Sequence, residues 1–285
     1  MTDQTEENQP LAPTTPGLYY GLSNEAYHAG THAVSNSMLR DFARSPLLCY
    51  KLHFDPDRPP RKVKQGQLEG SLTHCALLEP GQFRLRYPIG PTANRATKVW
   101  KEFAEGCLPN ETPIQQDQAD EAFAQARSLC AIPDIGKMLS AGQPEVSAYW
   151  VDPETGLLCR CRPDWEWLHP ERDASILIDA KTYSDASPRE FARQIARKSY
   201  HGQAAWYSDG YALAAKREVL GFVFGAVETT WPYAAAACML DEESLAKGRA
   251  ANRLLLDAYA KCLRSGVWPG YSESIAVITL PSWAQ

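Results

Sequence analysis

Apolar positions recur every three or four residues over much of the first half of the chain, the mark of helices with one buried face. Met38, Leu39, Phe42, Leu47, Leu48 and Tyr50 form such a stripe from about Ser37, with Ser35 or Ser37 as cap and Pro46 expected to kink or split it. Residues 66–79 (GQLEGSLTHCALLE) predict a second helix, with Leu68, Leu72, Cys75, Ala76 and Leu78 on its apolar side and Pro80-Gly81 as its stop. Further helices are expected over 93–105 and 115–132, and the prolines and charges of 55–64 predict a loop.

The period then shortens to two. Residues 145–151 (EVSAYWV) and 157–162 (LLCRCR) alternate on either side of the turn 152–156 (DPETG), a β-hairpin pattern. A Trp-rich connection leads to 175–178 (SILI), an apolar run ending at Asp179, as in a buried central strand with polar residues at its end. Helices are expected over 188–197, capped by Ser187, and over 199–215. Strands follow over 219–227 and 233–240, and Asp241 caps a long helix reaching about Ser265. This order predicts an α/β or α+β architecture, a mixed central β-sheet flanked by helices and preceded by an N-terminal helical region. Residues 1–16, polar and Pro/Thr-rich, read as a flexible tail, and 17–285 as a single domain.

Composition narrows the classes. With 285 residues, 44% hydrophobic and 22% charged, the chain is globular rather than disordered. No stretch approaches the ~18 apolar residues of a spanning helix, and the polar, acidic start lacks the basic and apolar regions of a secretory signal. The expected setting is cytoplasmic, with no membrane partner. A protein that coats DNA over a whole face is basic; at a net charge of −5 any nucleic-acid contact is confined to a local groove. The eight cysteines are scattered, with only Cys159 and Cys161 close and no C-x-x-C, so they read as small buried hydrophobes.

The chemistry gathers where strands end. Asp164 stands in Arg162-Pro163-Asp164, and Asp179 and Lys181 in Ile178-Asp179-Ala180-Lys181. Positions i and i+2 of a strand share a face, so Asp179 and Lys181 project together at the end of a run suited to burial. A charged pair is costly there without a partner or a task. Two carboxylates suit Mg²⁺, which lowers the pKa of a bound water and offsets charge on a phosphate; an ammonium alongside orients the water or stabilises the transition state. The alternative is a strand-end salt bridge, because D-x-K alone is a short motif. Glu145 either points to the same sheet face or is an exposed strand end. Trp165 and Trp167 read as packing rather than base stacking. Ser35 and Ser37 at a helix N-terminus, and Arg40, Arg44, Arg162 and Lys198 close in sequence to these elements, are candidate phosphate contacts. Plain capping and solvated charge are their alternatives.

The P-D…D-x-K pair after a hairpin resembles the PD-(D/E)xK nuclease superfamily, whose core is restriction-endonuclease-like. Gln203-Ala204-Ala205-Trp206-Tyr207 is similar to the Q-x-x-x-Y element of its RecB-type branch, and residues 70–80 (GSLTHCALLEP) to the helix that supplies a histidine there. Residues 22–28 (LSNEAYH) and 34–39 (VSNSML) resemble the opening of the exodeoxyribonuclease VIII (RecE) nuclease domain. The resemblance spans roughly 17–263. It implies His74, Asp164, Asp179 and the Ala180 carbonyl as metal ligands, with Lys181 as catalytic lysine. It implies Gln203 and Tyr207, one helical turn apart, as residues that hold DNA or orient the lysine. It further implies Mg²⁺, with Mn²⁺ as substitute, and 5′ to 3′ resection of linear duplex DNA in phage-type recombination. A homo-oligomer and a single-strand annealing recombinase as partner are expected on the same ground. Some RecB-type nucleases carry an iron–sulfur cluster; the scattered cysteines speak against one here. The absence of G-x-x-x-x-G-K-[ST] speaks against ATP-driven unwinding. A structure-specific or single-strand endonuclease, or a non-catalytic DNA-binding protein on the same fold, are the competing expectations.

Overall fold

The structure is a computed structural model and describes residues 12–59 and 65–281. Most of the expected N-terminal tail, the end of the 55–64 loop and the final four residues lie outside the described residues.

The chain opens with a three-residue strand β1 (Gly17–Tyr19), a short helix α1 (Asn24–Ala29) and a two-residue strand β2 (Val34–Ser35). The hydroxyl of Ser35 then accepts the Met38 N–H and starts α2 (Asn36–Arg44). Pro46 splits the stripe rather than kinking it. It occupies the first turn of α3 (Pro46–His53), where its missing N–H costs nothing, and Ser45 caps that helix through the Leu48 N–H. α4 (Gln65–Leu78) stops at Pro80 as its sequence predicts. The short α5 (Phe83–Arg86) follows. α6 (Lys98–Glu105) begins five residues later than expected, because Thr97 rather than the Pro/Asn-rich stretch before it supplies the cap. α7 (Gln116–Cys130) and an unpredicted seven-residue α8 (Pro133–Leu139) complete the helical half.

Strands β3 (Gln143–Pro144), β4 (Ser147–Val151), β5 (Leu158–Cys161), β6 (Trp165–Leu168) and β7 (Ala174–Tyr183) come next. Helices α9 (Pro188–Lys198) and α10 (Tyr200–Ala215) cross to β8 (Glu218–Glu228), which is followed by β9 (Ala235–Met239) and α11 (Glu242–Ser265). Ser187 stands at the start of α9 without a side-chain cap bond, whereas Asp241 caps α11 through the Ser244 N–H.

Among the described residues two mixed sheets form instead of the single one expected: β1-β4-β5-β2 and β3-β6-β7-β8-β9. The predicted hairpin is β4-β5 of the smaller sheet. The Trp-rich connection is itself strand β6, antiparallel to β7. β7 and β8 run parallel in register, Asp179 opposite Phe224 and Lys181 opposite Ala226, and their crossover is the α9–α10 pair, as a parallel connection requires.

Alternation sorts the large sheet into two cores. Ile178, Val223, Val227, Trp165 and Trp167 face α7 and α8, and the Trp165 indole N–H donates to the Met138 carbonyl at 3.0 Å. Leu177, Phe222, Phe224 and Ala226 face α9 and α10. Helix α10 clasps both sheets: Trp206 donates to the Arg160 carbonyl of β5 at 3.0 Å and lies tilted at 60° against Trp150 of β4. Four cysteines (Cys49, Cys75, Cys159, Cys161) are buried as read, three are half-buried, and Cys130 is exposed. Among the described residues no helix is long and apolar enough to cross a membrane.

The hairpin turn is pinned from outside. Asp152, 8% exposed, accepts from the Thr155 N–H and hydroxyl and from Arg253 of α11 at 2.9 Å. Burial works against its ionised form, but the Arg253 and Thr155 bonds hold its pKa below the ordinary value. Asp152→Ala is expected to cost about 1–2 kcal/mol in urea unfolding at pH 7, because it removes the Thr155 and Arg253 bonds that pin the turn, while Arg253 keeps Asp257. A carboxylate with a depressed folded pKa stabilises above its unfolded value of ~3.9 and loses that contribution as pH falls through the folded one. The gap between wild type and variant should therefore close below ~pH 4.

Candidate active site

Asp179 and Lys181 lie on the α9–α10 face of β7, as alternation requires, and their side chains form an ion pair through Asp179 Oδ2. The other oxygen, Oδ1, accepts from the Gln203 side-chain amide of α10 at 2.8 Å. Asp164 stands at the entry to β6, across the antiparallel ladder from Asp179. Its Oδ2 accepts the Ala180 N–H at 2.7 Å, and its Oδ1 lies 2.8 Å from His74 Nε2 of α4. The other ring nitrogen of His74 faces Glu145 Oε1 at 3.5 Å. Three segments distant in sequence thus deliver His74, Asp164, Asp179, Lys181 and Gln203 to one place.

Glu145 does not begin a strand. It sits between β3 and β4 with φ +49°, a left-handed value uncommon outside glycine, and its N–H donates to the Asp164 carbonyl at 3.0 Å. That twist sends its carboxylate to His74 on one side and to Arg162 Nη1, 3.5 Å away, on the other.

Charge is crowded here. Burial pushes the Asp179 carboxyl up to about 6, against the pull of Lys181, and Asp164 adds to the rise. Burial alone would raise Asp164 as well, but the charge and hydrogen bond of His74 outweigh it and hold the carboxyl low. Burial would lower His74, yet Asp164 and Glu145 push it up to about 9. Lys181 is likewise held above its ordinary value by Asp179 and Asp164 in spite of burial. One oxygen of each aspartate is turned to an internal cation and the other to an N–H donor, and among the described residues no three His, Cys, Asp or Glu side chains form a group that could hold a metal ion. The donor chemistry, hard carboxylate oxygens with one imidazole, nonetheless suits a divalent cation, and a cation would relieve the crowding that raises Asp179.

The remaining candidates are placed unevenly. Tyr207 is half-buried with its ring edge-on to Phe222 (5.6 Å, 85°). Burial, with Tyr27 and Asp179 adding, raises its hydroxyl well above the ordinary pKa, so it stays a neutral phenol. A groove of about 1070 Å³ opens over His74, Glu145, Ala180 and Lys181, and Lys198 lines it. Arg40 does not line the groove but acts on the ionisation of Tyr183 and Tyr200, which do. Ser35 is spent on capping and on a 2.9 Å bond to Ser37, and neither serine lines the groove. Arg44 is an exposed residue at the end of α2, also away from the groove lining. Arg162 is buried, donating to Ser147 Oγ at 2.8 Å and to the Leu22 carbonyl at 3.0 Å, with its guanidinium 4.1 Å from the Tyr27 ring centre.

Sequence reasoning missed Tyr183 and Tyr200, whose hydroxyls meet at 2.6 Å, with Lys181 Nζ 5.1 Å from the Tyr200 ring centre. A signal was present: Tyr200, Gln203 and Tyr207 follow the i, i+3, i+7 row of one helix face.

A mixed sheet carrying an aspartate, then D-x-K on the next strand, then a glutamine on the crossover helix, defines the PD-(D/E)xK-type nuclease fold. The chain belongs to the family described as a PDDEXK-like domain of unknown function, whose model matches residues 35–281. No curated protein matches it by sequence. Among solved structures it is similar to a "putative exonuclease" from Eubacterium rectale, with a TM-score of 0.63 and 13% identity over 90% of this chain and 94% of that one. At that identity the likeness is one of fold.

Proposed function

We propose that the protein is a metal-dependent deoxyribonuclease that degrades linear duplex DNA from its ends. The observation that supports it is the meeting of Asp164, Asp179, Lys181 and Gln203, with His74, beneath a groove. In this reading His74, Asp164, Asp179 and the Ala180 carbonyl hold Mg²⁺, for which Mn²⁺ substitutes. When bound, the ion lowers the pKa of a water and offsets charge on the scissile phosphate. The chain's own groups do the rest. The Gln203 amide fixes the direction of Asp179, and the Ala180 N–H that of Asp164, the outer hydrogen bonds that aim ligating carboxylates. The Lys181 ammonium stands where it orients the attacking water and takes up charge on the phosphate oxygens. Tyr207, neutral on the same helix face as Gln203, offers a hydroxyl to the DNA backbone. Lys198, which lines the groove, supplies a phosphate contact on a chain that is acidic overall, and Arg40, near Tyr183 and Tyr200, is a second candidate. Polarity from 5′ to 3′, a ring-forming homo-oligomer and a single-strand annealing partner in recombination rest on the RecE-like order of motifs.

The test compares linear duplex DNA bearing 5′-phosphate or 5′-hydroxyl ends with covalently closed circles, each with Mg²⁺ and with EDTA. Mononucleotide release from linear duplexes alone, abolished by EDTA, is the expected result. Cleavage of circles would replace the exonuclease with an endonuclease on the same core. Failure to hydrolyse any of them would remove the nuclease reading.

A further inference from the structure

The Lys181 ammonium has two neighbours of different kind. One is Asp179 Oδ2, and the other is the face of Tyr200, 5.1 Å from Nζ to the ring centre and within cation–π range. The carboxylate is a hold that can be taken away. Any cation recruited by Asp179 competes with Lys181 for the same oxygen, while Gln203 already occupies the other. The aromatic face carries no lone pair that a hard cation seeks, so it survives that competition.

Tyr200 is also built to stay where it is. Its ring stacks on the fully buried Phe224 at 5.8 Å and 28°. Its hydroxyl meets that of Tyr183 at 2.6 Å, and Tyr183 in turn packs edge-on against buried Phe191 at 5.8 Å. Ser199, with φ +55°, breaks α9 from α10 just before it and sets Tyr200 at the first position of α10, facing the same way as Gln203. Two strands and two helices therefore fix one ring beside one ammonium.

We propose that Tyr200, locked by Tyr183, is a positioning residue for Lys181: its ring holds the ammonium over the groove when Asp179 is engaged elsewhere. The assignment rests on the nuclease reading for its consequence, but the contact itself does not. Tyr200→Leu removes the aromatic face, whereas Tyr200→Phe and Tyr183→Phe both keep it and each remove the hydroxyl contact.

Two measurements decide. In metal-free protein labelled with ¹³C-lysine, the Lys181 ε-CH₂ signal, assigned by its disappearance in Lys181→Arg, should show an upfield ring-current shift. That shift should persist in Tyr200→Phe and vanish in Tyr200→Leu. In Mg²⁺-supported hydrolysis of linear duplex DNA, Tyr200→Leu should lower kcat about 10-fold with KM nearly unchanged, while Tyr200→Phe stays within about threefold. Tyr183→Phe, which removes the same hydroxyl contact and disturbs no packed carbon, should match Tyr200→Phe. A Lys181 signal unmoved by Tyr200→Leu, or a loss lying wholly in KM as expected of a base-stacking platform, would overturn the proposal. Should the wild type hydrolyse no DNA, the nuclease reading fails and the lysine signal alone judges the contact.

Discussion

Asp179→Asn is expected to abolish Mg²⁺-dependent hydrolysis, by about 10³-fold or more, while the protein stays folded. The substitution is nearly isosteric, and the side-chain oxygen that remains still accepts from Gln203. What disappears is the charge, and with it the ion pair to Lys181, whose ammonium keeps the Tyr200 face. In the metal-free protein that charge is poorly accommodated, because burial and Asp164 already push the carboxyl up to about 6. The variant should therefore keep its circular dichroism and melt within a few degrees of wild type. A second measurement separates metal binding from chemistry. Mg²⁺ should raise the melting temperature of wild type by binding only the folded state, and leave that of Asp179→Asn unchanged. Full activity in the variant would end the site assignment.

Gly248→Ala should destabilise the protein by about 2 kcal/mol, against the direction helix propensity sets. Alanine is worth about 1 kcal/mol over glycine inside a helix. At Gly248 of α11, however, a Cβ would stand 2.3 Å from the His201 carbonyl oxygen and 3.1 Å from the Gly202 nitrogen, both backbone atoms of α10. Backbone cannot step aside as a side-chain tip does, so the helices must part, at an overpacking cost of about 1–3 kcal/mol or more. The internal control is Gly66→Ala in α4, where a Cβ meets nothing within 4 Å; it should stabilise by up to about 1 kcal/mol. Urea titration of both variants reads the opposite signs. Since Gln203 follows the point of contact by one residue, Gly248→Ala should also lower nuclease activity beyond its effect on stability. Equal and favourable shifts in the two variants would show that α10 and α11 are not in the close contact described.

Much of this was legible in the chain because local rules governed it. Ser35, Asp241 and Pro46 mark helix boundaries through hydrogen bonds made within four residues, or through a missing N–H. The facing of Asp179 and Lys181 needs only the twofold pattern of a strand. The second sheet was not legible, because β1 and β2 are three and two residues long and exist by pairing with β4 and β5, more than a hundred positions away. β6 was hidden by its composition. In Trp165-Glu166-Trp167 every residue is buried, the glutamate included, and Ser175 and Arg217 reach its Oε1 from other elements. Glu145 escaped because a left-handed backbone leaves no trace in a run that alternates as a strand does. Arg162, a free cation on paper, proves to be enclosed, and nothing short of the folded chain reveals that its partners include Leu22.

That last contact bears on where a working fragment can be cut. The family match begins at residue 35, yet the guanidinium that steadies Glu145 leans on the carbonyls of Leu22 and Ser23 and on the ring of Tyr27. A protein trimmed to the matched span would leave a buried cation short of two acceptors, a dozen or so residues upstream of the cut. The opening strand and helix are thus buttresses of the candidate site, and an expression boundary drawn at residue 35 would remove them.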